Sequence, residues 1–436
     1  MELGTERGIE QGTDQRTELG TEIVELPVHG SVVELTRALC DVPSVSGDER
    51  AIADAVERAL SVHAPHLHVT RDGDAIVART QLGRAQRVVI AGHLDTVPVN
   101  NNLPTRLEPA PATRAAATPA PTTPGSAAND SAVNDSATPA PTTPGSAAND
   151  SAAATGSSAV TSAAATLWGR GTVDMKGGCA IMLALAVQLT DPTYDVTWVW
   201  YDHEEVASEL NGLGRLARTH PELLASDFAI LGEPSNAVVE GGCNGTLRIE
   251  LRASGRRAHS ARAWMGINAI HALAPAFAAL AAFEPETIEV DGLAYREGLN
   301  AVGVSGGVAG NVIPDAGVLT VNYRFAPDKS AAEAEQKLRA LFGAAAPELE
   351  LVVTDAAGGA RPGLDAELAQ HFIASVGGTP APKYGWTDVA RFAELGIPAV
   401  NYGPGDPSLA HADDERVPVE QIVACERGLR AWLTGA

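Results

Sequence analysis

Short runs of apolar, β-branched residues alternate along this chain with stretches of helical period. RVVIAG (87–92), VTWVWYD (196–202), FAILG (228–232) and IPAVNYG (397–403) read as buried strands, while 46–60, 176–190 and 418–434 read as helices. The first helix is predicted to open on a capping box, Ser46-Gly47-Asp48-Glu49. Strands alternating with helices predict an α/β domain around a mixed, mostly parallel sheet. Between Gly241 and Thr354 the order changes to strand (246–253), helix (266–283), strand (317–326), helix (331–343) and strand (349–353). That order predicts a smaller α+β domain, 241–354, inserted into a body formed by 29–240 and 355–436.

Two segments fall outside both patterns. Residues 109–165 are nearly all Ala, Thr, Pro, Ser, Gly, Asn and Asp, and ATPAPTTPGSAANDSA begins at Ala117 and again at Ala137. Such a composition cannot bury enough apolar surface to offset its ordering entropy, so a disordered insertion is expected. Because loop-closure entropy grows only logarithmically, it should cost the fold on the order of 2 kcal/mol. Its Asn-Asp-Ser triplets match a glycosylation pattern, but a spacer is the reading preferred. Residues 1–28 are polar and acidic and read as a disordered extension without a signal peptide.

Charge narrows the partners. The chain carries 31 Lys and Arg against 54 Asp and Glu, a formal net charge of -23, which repels nucleic acid and anionic membrane surfaces. A small-molecule substrate and a cytoplasmic location are expected. The four cysteines, Cys40, Cys179, Cys243 and Cys425, form no C-x-x-C pair and read as reduced thiols.

The chemistry is concentrated where strands end. His93 and Asp95, Glu204 and Glu205, and Glu233 each follow a predicted strand, the place where open α/β sheets bind ligands. Asp174, in GRGTVDMKGG, opens a helix, and His411 lies in the loop SLAHADDER. Imidazoles and carboxylates without thiolates suit catalytic rather than structural zinc. Two ions held ~3.5 to 4 Å apart need one shared carboxylate and about two further ligands each, and five of these residues meet that count. Asp95 is placed to hold the second ring nitrogen of His93. Of the paired carboxylates, Glu204 reads as the general base and Glu205 as a ligand. Singly, each of these residues would read as a solvated edge or a surface group; their convergence at strand ends of one domain points to a site.

AGHLDTVP, GRGTVDMKGG, DHEE, LGEP and LAHADDERVP resemble, in order, the five ligand motifs of the M20 family of metallopeptidases. The resemblance runs from about residue 30 to the end, apart from the insertion. It implies a zinc-exopeptidase-like catalytic domain with an inserted lid and dimerisation domain, and hence a homodimer. It also implies two zinc ions, the second site open to cobalt or manganese. Asp174 would bridge both, His93 and Glu233 would complete one site, Glu205 and His411 the other, and Glu204 would be the base. A cis peptide after Asp174 is implied too. In the lid, His259 would reach the partner's site to stabilise an oxyanion, Asn311 and Arg324 would hold substrate, and Thr387 with Asp388 would line the cavity. Within the family, LWGRGTVDMKGG and NYGPGDPSLAHADDERVP resemble the actinobacterial succinyl-diaminopimelate desuccinylases, although the surroundings of Thr387 depart from the Gly-Gly-Thr-Ser form expected of proteobacterial relatives. The implied reaction is hydrolysis of N-succinyl-LL-2,6-diaminopimelate.

Other readings compete. Another M20 activity, such as an aminoacylase, an acetylornithine-type deacylase or a dipeptidase, would use the same metal motifs. A non-catalytic scaffold would not need Glu204. Gly303-Val304-Ser305-Gly306-Gly307 matches the G-x-S-x-G of serine hydrolases, with Asp388 and His411 in triad order, but no helix is predicted after it. His203-Glu204 is not a zincin motif, because Ala207 stands where the second histidine belongs.

Overall fold

The computed structural model describes residues 24–109 and 165–436. Most of the disorder expected for 1–28 and 109–165 therefore falls on residues 1–23 and 110–164, which lie outside the described residues. Leu26 and Val28 are buried in the core, so the ordered body begins before residue 29.

The body is built on an eight-stranded sheet in the order 68–72, 75–79, 195–201, 87–93, 228–231, 399–401, 240–241, 381–382. Its centre is parallel: 195–201, 87–93, 228–231 and 399–401 run side by side in one direction. The two strands at the 68–79 end pair antiparallel. Strands of this kind, buried on both faces, read as unbroken apolar runs, and Asp195–Tyr201 is buried at every position. One face is covered by helices Val32–Asp41, Arg50–His63, Lys176–Gln188 and Val419–Thr434, the other by Gly212–Thr219 and Val389–Glu394.

Helix Lys176–Gln188 is apolar all round because it lies between the sheet and helices Val32–Asp41 and Val419–Thr434. Gly178 lets it approach that closely. A Cβ on Gly178 would stand 2.2 Å from the carbonyl oxygen of Gly232, at the end of strand Phe228–Leu231. That contact sets the height of the loop carrying Glu233.

The inserted domain is a four-stranded antiparallel sheet, 298–306, 316–325, 245–254, 350–357, backed by helices Ala274–Ala281 and Ala331–Ala345. Burial alternates along Gly245–Ser254 and Ala316–Phe325, so one face packs on the helices and the other is open. Strand Gly298–Gly306 was not expected; it is an edge strand, mostly exposed and poor in large residues, and so lacks the buried-strand signature. Ser305 lies within it, which removes the nucleophile-elbow geometry.

The expected capping box at Ser46 does not form. The helix begins at Arg50 after Glu49, without a side-chain cap, and Ser46 and Glu49 bond elsewhere. Helix Val32–Asp41, not foreseen, carries a true capping box from Ser31 and Glu34.

Candidate metal centre

Three parallel strands deliver their loops to one point. His93 is the last residue of Arg87–His93, Glu204 and Glu205 follow Asp195–Tyr201, and Glu233 follows Phe228–Leu231. Asp174 precedes helix Lys176–Gln188 across a cis peptide to Met175, as the resemblance implies. His411 arrives from the loop after Ala399–Asn401 with a left-handed backbone, φ 65°.

These side chains are close. The Nε2 of His93 is 3.0 Å from Oδ1 of Asp174. The Nε2 of His411 is 2.9 Å from Oε2 of Glu205 and 3.3 Å from Oδ2 of Asp174. Ligand atoms of His93, Asp174 and Glu233 lie within 4.8 Å of one another, as do those of Asp174, Glu205 and His411. The two triads share only Asp174, one oxygen of which faces each imidazole. A third triad, His93, Glu204 and Glu205, meets the same distance criterion but leaves out Asp174 and His411.

Without a cation this cluster is an electrostatic misfit. Burial, then the charge of Asp174, pushes the Glu233 carboxyl up to about 8. Burial also raises Glu204 well above the carboxylate range, with Asp388, Glu233 and Glu205 adding to it. His93 is fully buried, which alone would make it harder to charge, yet Asp174 and Asp95 hold it well above the usual imidazole value. His411 is pushed up to about 10 by Asp174 and Glu205. Packed carboxylates that keep protons and imidazoles that gain them are groups awaiting a positive charge. The all-N,O donor set and the shared aspartate fit two divalent cations of the zinc type.

Several supporting residues escaped the sequence reading. Asp95 does more than face His93. The His93 Nδ1 bonds the Asp95 backbone oxygen at 3.1 Å, with the Asp95 carboxylate at 3.4 Å. That carboxylate accepts the backbone N–H of Glu204 and of Glu205, each at 3.0 Å, and the Ser46 hydroxyl at 2.7 Å. It thus fixes where the two glutamates stand. Glu49, buried, accepts the N–H of Gly47 and of His203, tying the same loop to helix Arg50–His63.

Glu415 does the equivalent work on the other side. Its buried carboxylate accepts the N–H of Val173 (2.9 Å) and of Asp174 (3.2 Å) and pairs with buried Arg170 at 2.8 Å. The Arg170 Nη2 reaches the His411 carbonyl at 3.3 Å, so the loops bearing Asp174 and His411 are joined. Buried Lys176 donates to the Val42 carbonyl at 3.0 Å.

A cavity of about 640 Å³ opens over the cluster, lined by Asp174, Glu204, Glu205, Glu233 and His411 on the body and by Arg324 on the inserted domain. Thr387 also lines it, but the Thr387 hydroxyl is bonded to Asn401 Oδ1 at 2.9 Å. His259 and Asn311 lie elsewhere, both exposed: His259 pairs with Val312 on a short antiparallel bridge, the Asn311 carbonyl accepts the Ser260 N–H, and His259 lies on a separate concavity beside Trp264. Within one chain neither reaches the metal cluster's cavity.

The comparisons with known proteins agree with this geometry. The model of peptidase family M20/M25/M40 matches residues 152–434, more than half of the chain. A putative succinyl-diaminopimelate desuccinylase of Mycobacterium tuberculosis is 47% identical over 94% of this chain and 100% of its own length. A succinyl-diaminopimelate desuccinylase of Corynebacterium glutamicum is 40% identical over 94% of this chain and 98% of its own. Among solved structures, a Staphylococcus aureus tripeptidase superposes with TM-score 0.66 at 17% identity, covering 92% of this chain and 96% of the tripeptidase. An M20 family metallo-carboxypeptidase of Sulfolobus solfataricus gives 0.65 at 16%, covering 93% and 98%; at such identities these structures speak to the fold alone. Strand ends, ligand spacing and near full-length relatives converge on one assignment: the chain belongs to peptidase family M20/M25/M40.

Proposed function

We propose that this protein is a succinyl-diaminopimelate desuccinylase, hydrolysing the amide of N-succinyl-LL-2,6-diaminopimelate to succinate and LL-2,6-diaminopimelate. The observation that carries the reading is the pair of His/carboxylate triads sharing Asp174 beneath one cavity, in a chain whose relatives at 47% and 40% identity bear that name over nearly their whole length.

His93, Asp174 and Glu233 would hold one zinc ion, and Asp174, Glu205 and His411 the other. When bound, the two ions polarise the amide carbonyl and bring the pKa of a water towards neutrality. Glu204 takes the proton of the attacking water. Its buried setting among carboxylates suits that task, because a raised carboxyl accepts a proton readily and can return it. As the C–N bond breaks, Glu204 delivers that proton to the leaving amine. Asp95, by holding the Glu204 N–H, keeps the base over the scissile bond, and Arg324 gives the substrate a guanidinium to bind.

A homodimer is part of the proposal. The edge strand Gly298–Gly306 exposes Val302 and Val304, and His259 and Asn311 stand together on the same domain, outside their own chain's cavity and free to serve a neighbour's. Cytoplasmic residence is also part of it, supported by four free, buried cysteines.

The test is amine release from N-succinyl-LL-2,6-diaminopimelate by the zinc-loaded protein, beside a panel of N-acetyl amino acids and dipeptides. Turnover of the succinyl substrate that falls about 10²- to 10⁴-fold in Glu204→Gln, with zinc content unchanged, is the expected result. Turnover of another panel member alone would move the protein to a sister activity. Zinc binding without any turnover would leave a scaffold.

A further inference from the structure

The cavity is electrically two-ended. Acidic ligands crowd its floor, while one wall, on the open face of the inserted sheet, carries two arginines. Arg248 stands directly across from Asn322, and Arg324 directly across from Thr246, on adjacent antiparallel strands. Residues directly opposite share a face, so the two arginines are diagonal neighbours on one face, with backbones ~7 to 8 Å apart.

Taken as whole residues both arginines are solvent-accessible, and among the described residues neither is ion-paired with a carboxylate. Asp355, across from Arg248 on the third strand and on the same cavity wall, pairs with neither. Arg324 is braced by its Nε bond to Asn322 Oδ1 at 3.2 Å, and Asn322 in turn donates to Thr246 Oγ1 at 3.2 Å. Partial enclosure of its head by the cavity walls, and next the like charge of Arg248, make Arg324 a weaker base than usual. In a chain with 54 acidic side chains to 31 basic ones, two neighbouring arginines that face a cavity without a direct ion pair, offset only through space by Asp355 and Glu204, offer an entering anion a place to bind.

We propose that Arg248 is a specificity-determining residue, forming with Arg324 a wall that reads carboxylates, and that Arg248 holds a substrate carboxylate remote from the scissile amide. The inference rests on the amidohydrolase reading above and deepens it. It selects acylated amino acids with a carboxylate on the acyl arm, or a second one on the amine arm, over those with neutral groups there. Planar guanidinium forks favour such two-point recognition.

Calorimetry on the zinc-loaded protein separates the sources, using succinate, LL-2,6-diaminopimelate and acetate as probes. In Arg248→Met, affinity for succinate should fall about ten- to a hundredfold if the acyl carboxylate is read, or affinity for diaminopimelate if the amine-side one is, while that for acetate changes less than about threefold. Arg248→Lys should recover part of the loss. Arg252→Met, which removes an exposed guanidinium of the same strand already paired with Glu250, is the control and should change none of the three. Equal loss for all three probes, no loss for any, or no binding of either larger probe by the wild type overturns the proposal. Turnover of the succinyl substrate by the wild type, read separately, decides the underlying function. If it is absent the desuccinylase reading fails, and the binding comparison still judges the wall.

Discussion

Glu415→Gln isolates the work of a residue outside the candidate ligand groups. The wild-type carboxylate is buried, with Arg170 on one oxygen and the N–H groups of Val173 and Asp174 on the other. The amide keeps shape and one acceptor oxygen but turns an NH₂ towards groups that are all donors. It also leaves the Arg170 charge buried and unpaired. Removing one partner of a buried ion pair costs about 3 to 5 kcal/mol, and the retained oxygen should put this variant near 3 kcal/mol. Because Glu415 fixes the backbone at Asp174 and, through Arg170, the loop at His411, the loss should also appear as weaker metal binding. Supports behind metal ligands typically contribute 10- to 100-fold in affinity. Two assays read the two effects: urea unfolding of the metal-free protein, and zinc titration against a competing chelator. Turnover should be low at limiting zinc and largely recover at saturation. A variant with lowered urea midpoint but zinc affinity within about threefold of wild type would refute the positioning role, and no change in either would refute the whole account.

Other outcomes follow from single contacts. Gly178→Ala places a methyl 2.2 Å from a backbone oxygen; overpacking of this kind costs about 1 to 3 kcal/mol or more, and the shift of the Glu233 loop should lower zinc affinity as well as the melting temperature. In the inserted domain, burial alone would raise the Glu297 carboxyl, but Lys329, Tyr323, Lys337 and the Ala326 N–H hold it below the ordinary range. A depressed folded-state pKa gives stability that is present above the unfolded value, near 4.3, and is lost as pH falls through the folded one. Glu297→Gln should therefore cost about 2 kcal/mol at pH 7 and converge with wild type in acid; an offset in melting temperature that stays constant from pH 7 to 3 would contradict this. Replacing residues 110–164 by a tight turn should leave zinc affinity unchanged and, from loop closure alone, raise stability by up to about 2 kcal/mol, read by thermal melts.

Much of the candidate metal cluster was legible because each proposed ligand except His411 sits beside a strong local signal. His93, Glu204, Glu205 and Glu233 follow apolar strands, and Asp174 precedes an apolar helix. What was not legible depends on long-range pairing. Ser46 and Glu49 form a plausible local cap on paper, yet their oxygens are taken by Asp95 and His203, far along the chain. Local propensity lost there to a buried network of long-range hydrogen bonds. Glu415 lies in an acidic loop motif, and nothing near it in sequence announces that it binds the backbone at Val173 and Asp174. The edge strand Gly298–Gly306 was missed for a different reason: one neighbour instead of two leaves its side chains exposed, and the apolar alternation that betrays a strand is absent.

The strands Arg106–Glu108 and Thr166–Trp168 pair antiparallel, with Glu108 directly across from Thr166. The two cut ends of the repeat-bearing segment thus stand a single ladder rung apart, about 5 Å. With both anchors fixed on neighbouring strands, the length of chain between them can change without moving either one. Duplication of a short DNA unit there would lengthen the chain and leave the anchors in place. The hairpin is accordingly the natural place to graft a tag, a reporter or a whole second domain onto this enzyme.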